Sequence, residues 1–166
     1  GLLMLFAALA LTLPAAAAGQ EEADTPAVQV SDLPDPQMEG LEPAVAAQLT
    51  EMRQFVVQQM TETEAPLAQL AGSIGELGRL YLAYELYGPA EKCLAIAQRL
   101  TPRNFSWPYH RAYLAQQEGR LEEAAALYEL SLSILPTVNP ALIRLGQVYG
   151  ELNRPVAAEW VLRQAL

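Results

Sequence analysis

Covalent catalysis needs a nucleophile, a base and a group that orients the base, and this chain offers little of any of them. Its one histidine, His110, stands between Tyr109 and Arg111. It reads first as a partly exposed helix residue and second as a ligand contact. The one cysteine, Cys93, precedes Leu94 and reads as a small buried hydrophobe rather than a reactive thiol. A lone cysteine also excludes an intramolecular disulfide and a multi-thiolate metal site. Glu122 and Glu123 are adjacent carboxylates, but they open a helical pattern, where acids complement the helix dipole. Neither a glycine-rich phosphate loop nor a metal-ligand spacing occurs. The expectation is a non-catalytic chain with no cofactor and no metal, whose chemistry is recognition.

The elements that would position such a surface follow from composition. The chain has 166 residues, 52% of them apolar and only 7% aromatic. Its wealth of Ala and Leu favours helices over strands. Ten basic residues against 19 acidic ones give a net charge of −9, which argues against general nucleic-acid binding. The charge is uneven. Residues 19–43 hold seven of the acids, no base and four prolines, and they predict an acidic, Pro-rich disordered linker. The remainder holds 12 acids against ten bases, so no strongly charged face is expected of it.

The chain begins with Gly, and the start of its precursor is expected to be missing. Leu2 to Leu13 form an uncharged apolar run broken by Pro14 and followed by Ala15 to Ala18. This pattern predicts a signal peptide over 1–18, with cleavage after Ala18 and a periplasmic or secreted destination. The alternative is an uncut N-terminal membrane anchor. One Lys against nine Arg points to a bacterial source.

Helical periodicity begins after Pro43. Val45, Leu49, Met52, Val56 and Met60 recur at spacings of four and three with Phe55 beside them, which predicts an amphipathic helix over 44–62. Thr61 to Pro66 then offers an N-cap threonine and a first-turn proline for a helix from about Glu64 to Tyr87.

Beyond this point the chain repeats itself at a step of 34 residues. Ala90, Ala124 and Ala158 keep the step, as do Gly78, Ala112 and Gly146, and Leu94, Tyr128 and Leu162. Pro102 and Pro136 match, and Leu77 with Leu145 and Tyr81 with Tyr149 match two steps apart, while Arg111 and Ala115 depart between them. Each copy reads as two helices and a tight turn, with small residues where backbones approach and large ones between layers. Ser106 and Asn139 are N-cap candidates, and Gly119 and Asn153 suit left-handed C-caps.

These columns resemble the tetratricopeptide repeat family. Leu77-Gly78 with Tyr81, and Leu145-Gly146 with Tyr149, match its first-helix pattern. Ala90, Leu94, Ala97 and Pro102 match its second helix. The family tryptophan is displaced to Trp107, and Ile74 and Leu142 stand in its column. The resemblance covers 71–166 as copies 71–104, 105–138 and an incomplete 139–166. It implies an all-α, right-handed α-solenoid of about three repeats preceded by the extra helix.

The resemblance also implies a concave groove, lined by successive first helices, that takes an extended peptide or a partner helix. Helical spacing assigns to it Arg79 and Leu82 in copy one and Tyr109, Tyr113, Gln116 and Gln117 in copy two, with His110 at the edge. Copy three supplies Ile143, Gln147 and Glu151, with Arg144 at the edge. Rings bury side chains and amides pair with peptide groups. The family's basic clamp for a C-terminal carboxylate needs Lys and Asn residues that are absent from these positions. At the last helix, Val161, Leu162 and Leu166 are expected to show apolar surface, through truncation or a covering partner. The expected function is an interaction scaffold for a protein or peptide partner in envelope assembly, secretion or cofactor maturation. The alternatives are a structural array serving another domain of a longer chain, and an enzyme whose catalytic domain lies beyond residue 166.

Overall fold

The computed structural model describes residues 28–62 and 65–166. The expected signal peptide, residues 19–27 of the expected linker, and residues 63–64 of the expected capping stretch lie outside them. Among the described residues seven helices follow a one-turn 3-10 helix at Val30–Asp32: α1 Pro43–Glu62, α2 Leu67–Ala83, α3 Tyr87–Leu100, α4 Ser106–Gln117, α5 Leu121–Ile134, α6 Asn139–Glu151 and α7 Pro155–Gln164. There is no strand among the described residues. The pairs α2/α3, α4/α5 and α6/α7 pack on themselves, each pair packs on the next, and α1 packs on α2. This is an all-α solenoid. No described helix is long and apolar enough to cross a membrane.

The small-residue column sets the close approach within pairs. A Cβ at Gly78 would stand 2.9 Å from Leu94 Cγ and 3.2 Å from the Leu94 backbone nitrogen, and one at Gly146 would stand 2.5 Å from Leu162 Cγ. Tyr81, Leu94 and Tyr128 are fully buried between the layers. Burying a side chain of this size contributes roughly 1.5–3 kcal/mol. Trp107 is held by its indole N–H donating to Thr101 Oγ1 at 2.8 Å. Its ring lies where a Cβ on Gly75 would be 2.3 Å away, so the displaced tryptophan ties copy two to copy one. In α1, Leu49 and Val56 are buried and Phe55 is exposed.

The three turns between paired helices share one device. Glu85, Gly119 and Asn153 all adopt positive φ, at 59°, 73° and 57°. In each turn the next N–H reaches back five residues, from Leu86 to Tyr81 O (2.9 Å), Arg120 to Ala115 O (2.8 Å) and Arg154 to Tyr149 O (2.8 Å). That bond closes the helix in the Schellman manner.

Several expectations are corrected. The helix expected to run on to Tyr87 stops at Ala83, because Glu85 takes a left-handed turn that a glutamate does not advertise. Pro66 precedes α2 as its flanking residue rather than sitting in its first turn. Ser106 and Asn139 are first helical residues rather than N-caps. Asn104 does the capping work before α4, its Oδ1 accepting from the Ser106 N–H (3.0 Å) and hydroxyl (2.8 Å). Val161 is 3% exposed, because it turns inward onto the cluster of Leu142 and Leu145. Leu162 and Leu166 are exposed.

The described part of the expected linker also departs from expectation. Leu33 is 4% exposed and belongs to the buried cluster of Ile74, Leu77, Tyr81 and Cys93, with Val28, Met38 and Leu41 packed against it. Arg53 Nε donates to Pro34 O at 3.0 Å. One inserted leucine and a carbonyl held by an arginine seat this low-hydrophobicity strip on α1.

Candidate functional site

The first helices and one turn build a cleft of about 360 Å³. The end of α2 contributes Arg79, Leu82 and Ala83, and the α2–α3 junction contributes Glu85 and Tyr87. One stripe of α4 contributes Tyr109, Tyr113 and Gln117 at spacings of four, with His110 beside them, and α6 adds Arg144. Residues four apart share a helix face, so α4 presents two phenol rings and an amide in a row.

Five of these side chains are held by a neighbour. Tyr109 meets His110 edge-on at 5.2 Å between centroids and Tyr128 at 5.8 Å. The Arg144 guanidinium lies 4.5 Å from the Tyr113 ring centroid, a cation–π contact. Arg79 is paired with Glu76 at 2.7 Å on its own helix. Burial, helped by the Arg79 charge, lowers the His110 pKa to about 4. The imidazole is therefore neutral near pH 7 and offers one donor and one acceptor. The cleft thus combines aromatic faces, an amide, a neutral imidazole, two guanidinium groups and the Glu85 carboxylate. That set suits hydrogen bonding to a peptide backbone and burial of its side chains.

Seven of the eleven sequence-predicted groove residues meet at this cleft: Arg79, Leu82, Tyr109, His110, Tyr113, Gln117 and Arg144. Gln116 is turned away, accepting from Tyr128 Oη at 3.2 Å and donating to Glu151 at 3.3 Å. This pairing also takes Glu151 out of the cleft and ties α4 to the end of α6. Ile143 lies in a separate hollow with Leu162 and Leu166. Gln147 is exposed on α6 outside the cleft lining. Sequence reasoning missed Ala83, Glu85 and Tyr87, because it ran one helix through all three. The signal was present in the 34-residue step, which puts Glu85 in column with Gly119 and Asn153.

Outside the cleft, Cys93 is fully buried, and burial pushes its thiol up to about 12, so it is poorly suited to act as a nucleophile. Among the described residues no group of three or more His, Cys, Asp or Glu is placed to hold a metal ion.

No protein-family model matches the chain. It is 29% identical over 147 residues to human tetratricopeptide repeat protein 7B, a match spanning 84% of this chain and 17% of that protein. The solved structure of MamA superposes with a TM-score of 0.64 at 20% identity, covering 74% of this chain and 67% of MamA. The second tetratricopeptide domain of Spaghetti (RPAP3), solved bound to the HSP90 peptide SRMEEVD, superposes with a TM-score of 0.57 at 19% identity, covering 59% and 91%. The 34-residue columns, the three helix pairs with their shared turn, and these likenesses agree on an all-α solenoid fold like that of the solved tetratricopeptide-repeat structures, with α1 as an additional helix before the three pairs.

Proposed function

We propose that this chain is a non-catalytic interaction scaffold that binds an extended peptide or a partner helix in the cleft between α2, α4 and α6. The observation that carries the reading is the stripe of Tyr109, Tyr113 and Gln117, flanked by Arg79 and Arg144, around one open cleft. The peptide held by the Spaghetti domain supports the same use of this fold. The Leu2–Leu13 run and the small residues after it support export, with work in envelope assembly, secretion or cofactor maturation. A second reading, an array packed against another domain, is favoured by the hollow at Ile143, Leu162 and Leu166 on the last pair.

The test is a displayed-peptide selection on the full chain, followed by anisotropy titration of the selected peptides. A Tyr109→Ala/Tyr113→Ala/Gln117→Ala variant with unchanged helical circular dichroism should lose at least about tenfold in affinity, as truncated anchors do. Equal affinity for parent and variant would move binding off the cleft and sink the reading.

A further inference from the structure

Among the described residues the outer side of the solenoid has three seams, each a first helix flanked by the helix before it and the second helix of its own pair. The chain treats them differently. In the first seam, between α1 and α3 over α2, the floor is Ile74, Leu77, Tyr81 and Cys93, all fully buried. Residues 28–41 lie across it, with Leu33 inserted in the cluster and Arg53 of α1 holding Pro34 O. Asp32 stands beside Lys92, Ile96 and Arg99 of α3, so the strip bridges both walls.

In the second seam, over α4, the columns carry Arg111 in place of a leucine. Its guanidinium donates to Glu91 Oε1 at 2.8 and 2.5 Å and to Gln98 Oε1 at 2.9 Å. A polar strut from α4 to α3 fills that seam.

The third seam, between α5 and α7 over α6, returns to the first seam's floor. Leu142, Leu145, Tyr149 and Val161 stand two steps of 34 from Ile74, Leu77, Tyr81 and Cys93. The strut residues are replaced by Ala125, Leu132 and Leu145. What remains is a hollow of about 470 Å³ lined by Leu132, Leu142, Leu145, Tyr149, Val161 and Trp160. Trp160 is 66% and its neighbour Val156 82% exposed. Their counterparts Lys92, Ala126, Gly88 and Glu122 stay exposed although another helix pair follows each. Stacking of a further pair by the same rule would therefore leave Trp160 and Val156 uncovered. None of the hollow's residues lines the concave cleft.

We propose that this third seam is a second docking site, for an extended segment of a partner protein that inserts one leucine-sized side chain, as Leu33 does in the first seam. The argument is continuity with the seam already filled inside the molecule: the floor is of the same chemistry, and the tryptophan forms a new apolar wall. The flank chemistry differs. Where Arg53 holds a carbonyl in the first seam, the third offers the carboxylate of Glu129, whose Oε1 accepts from Tyr149 Oη at 2.5 Å, with Ser133 and Gln164 on its walls. The fitting segment is therefore neutral or basic next to its leucine, unlike the acidic strip 28–41.

The probe is a fluorescein-labelled peptide of residues 28–41 carrying Asp32→Asn and Asp35→Asn, titrated by anisotropy against the full chain. Saturable binding is expected, with at least a tenfold loss for a Leu33→Ala peptide. The same loss is expected for a Leu132→Gln/Trp160→Lys protein, which puts copy-one residues at exposed and half-buried positions. A second variant, Ala125→Glu/Leu132→Gln/Leu145→Arg, installs the second seam's strut and should also abolish binding. Both protein variants are first checked for parental helical circular dichroism. Arg53→Ala in the first seam and the Tyr109/Tyr113/Gln117 alanine variant in the cleft should leave binding in place, which separates this site from the cleft. Absence of binding to the folded parent would overturn the proposal, as would undiminished binding to the third-seam variants. Concentration-dependent dimerisation in sedimentation that Trp160→Lys abolishes would overturn it in favour of a second copy as occupant.

Discussion

The second and third outer seams occupy the same place in successive layers and are finished differently. In the second, Arg111 of α4 grips Glu91 and Gln98 of α3, whereas in the third α6 is linked to α5 by a bond from Tyr149 to Glu129. At the third the same three columns hold Leu145, Ala125 and Leu132, and a hollow lies open beside Trp160. The backbone step is fixed by the glycine, alanine and turn columns, which both layers keep. Whether a seam is sealed or open is decided by side chains in columns that the fold leaves free. A repeat architecture can therefore vary its outer surface layer by layer without altering its stacking.

The largest expected effect tests the strut. Arg111 and Glu91 are mostly buried, at 21% and 28% exposed, and Glu91 Oε2 already lacks a partner. Arg111→Ala strands the carboxylate and should cost about 2 kcal/mol in urea denaturation. Giving the second seam the third seam's residues, Glu91→Ala/Gln98→Leu/Arg111→Leu, removes both charges together and should fall within about 1 kcal/mol of the parent. If the triple variant loses as much as Arg111→Ala, the seams are not interchangeable and the comparison breaks.

A smaller effect compares an inner layer with the last one. Gly78→Ala pushes its Cβ onto the backbone nitrogen as well as the buried side chain of Leu94; overpacking of this kind costs about 1–3 kcal/mol, and the gain of about 1 kcal/mol in helix propensity leaves a net loss of about 1 kcal/mol. Gly146→Ala meets only side-chain atoms of Leu162, a residue 40% exposed that can swing toward solvent. Its cost should be cancelled by the gain of about 1 kcal/mol in helix propensity from replacing glycine. Thermal melts of the two variants should differ in that order; equal melting temperatures would show that the last layer is as tightly held as the first.

The smallest effect concerns the turns. Glu85 holds a φ of 59° where copy two has Gly119, and a left-handed residue with a Cβ costs about 1–2 kcal/mol. Glu85→Gly removes that strain and loses some of the gain to unfolded-chain entropy, leaving a stabilisation of about 0.5–1 kcal/mol. A lower melting temperature would mean that the Glu85 carboxylate at the cleft rim contributes more than its backbone costs.

The layers were legible in the sequence because their signals are local or periodic. Gly78 and Gly146 mark close approaches, Gly119 and Asn153 mark left-handed turns, and Pro102 and Pro136 mark helix ends, each through backbone chemistry that any neighbour would leave unchanged. The cleft was legible where helical spacing alone places a residue, as with Tyr109, Tyr113 and Gln117. It was not legible at Gln116, whose amide is claimed by Tyr128 and Glu151, nor at Glu85, whose conformation is imposed by the turn. Residues 28–41 looked like linker because their own apolar content is low; their seat depends on a groove and an arginine donated by α1 and its neighbours.

The sequence by itself determined that this chain is a stack of helix pairs with a 34-residue step, since a strict period of small and large residues admits one kind of layer. Only the tertiary structure decided which of those residues share a cleft, which seam a strip of the same chain fills, and which is left open at Trp160. Those outcomes depend on contacts between layers, where one arginine or one tryptophan in a free column changes what a surface can accept.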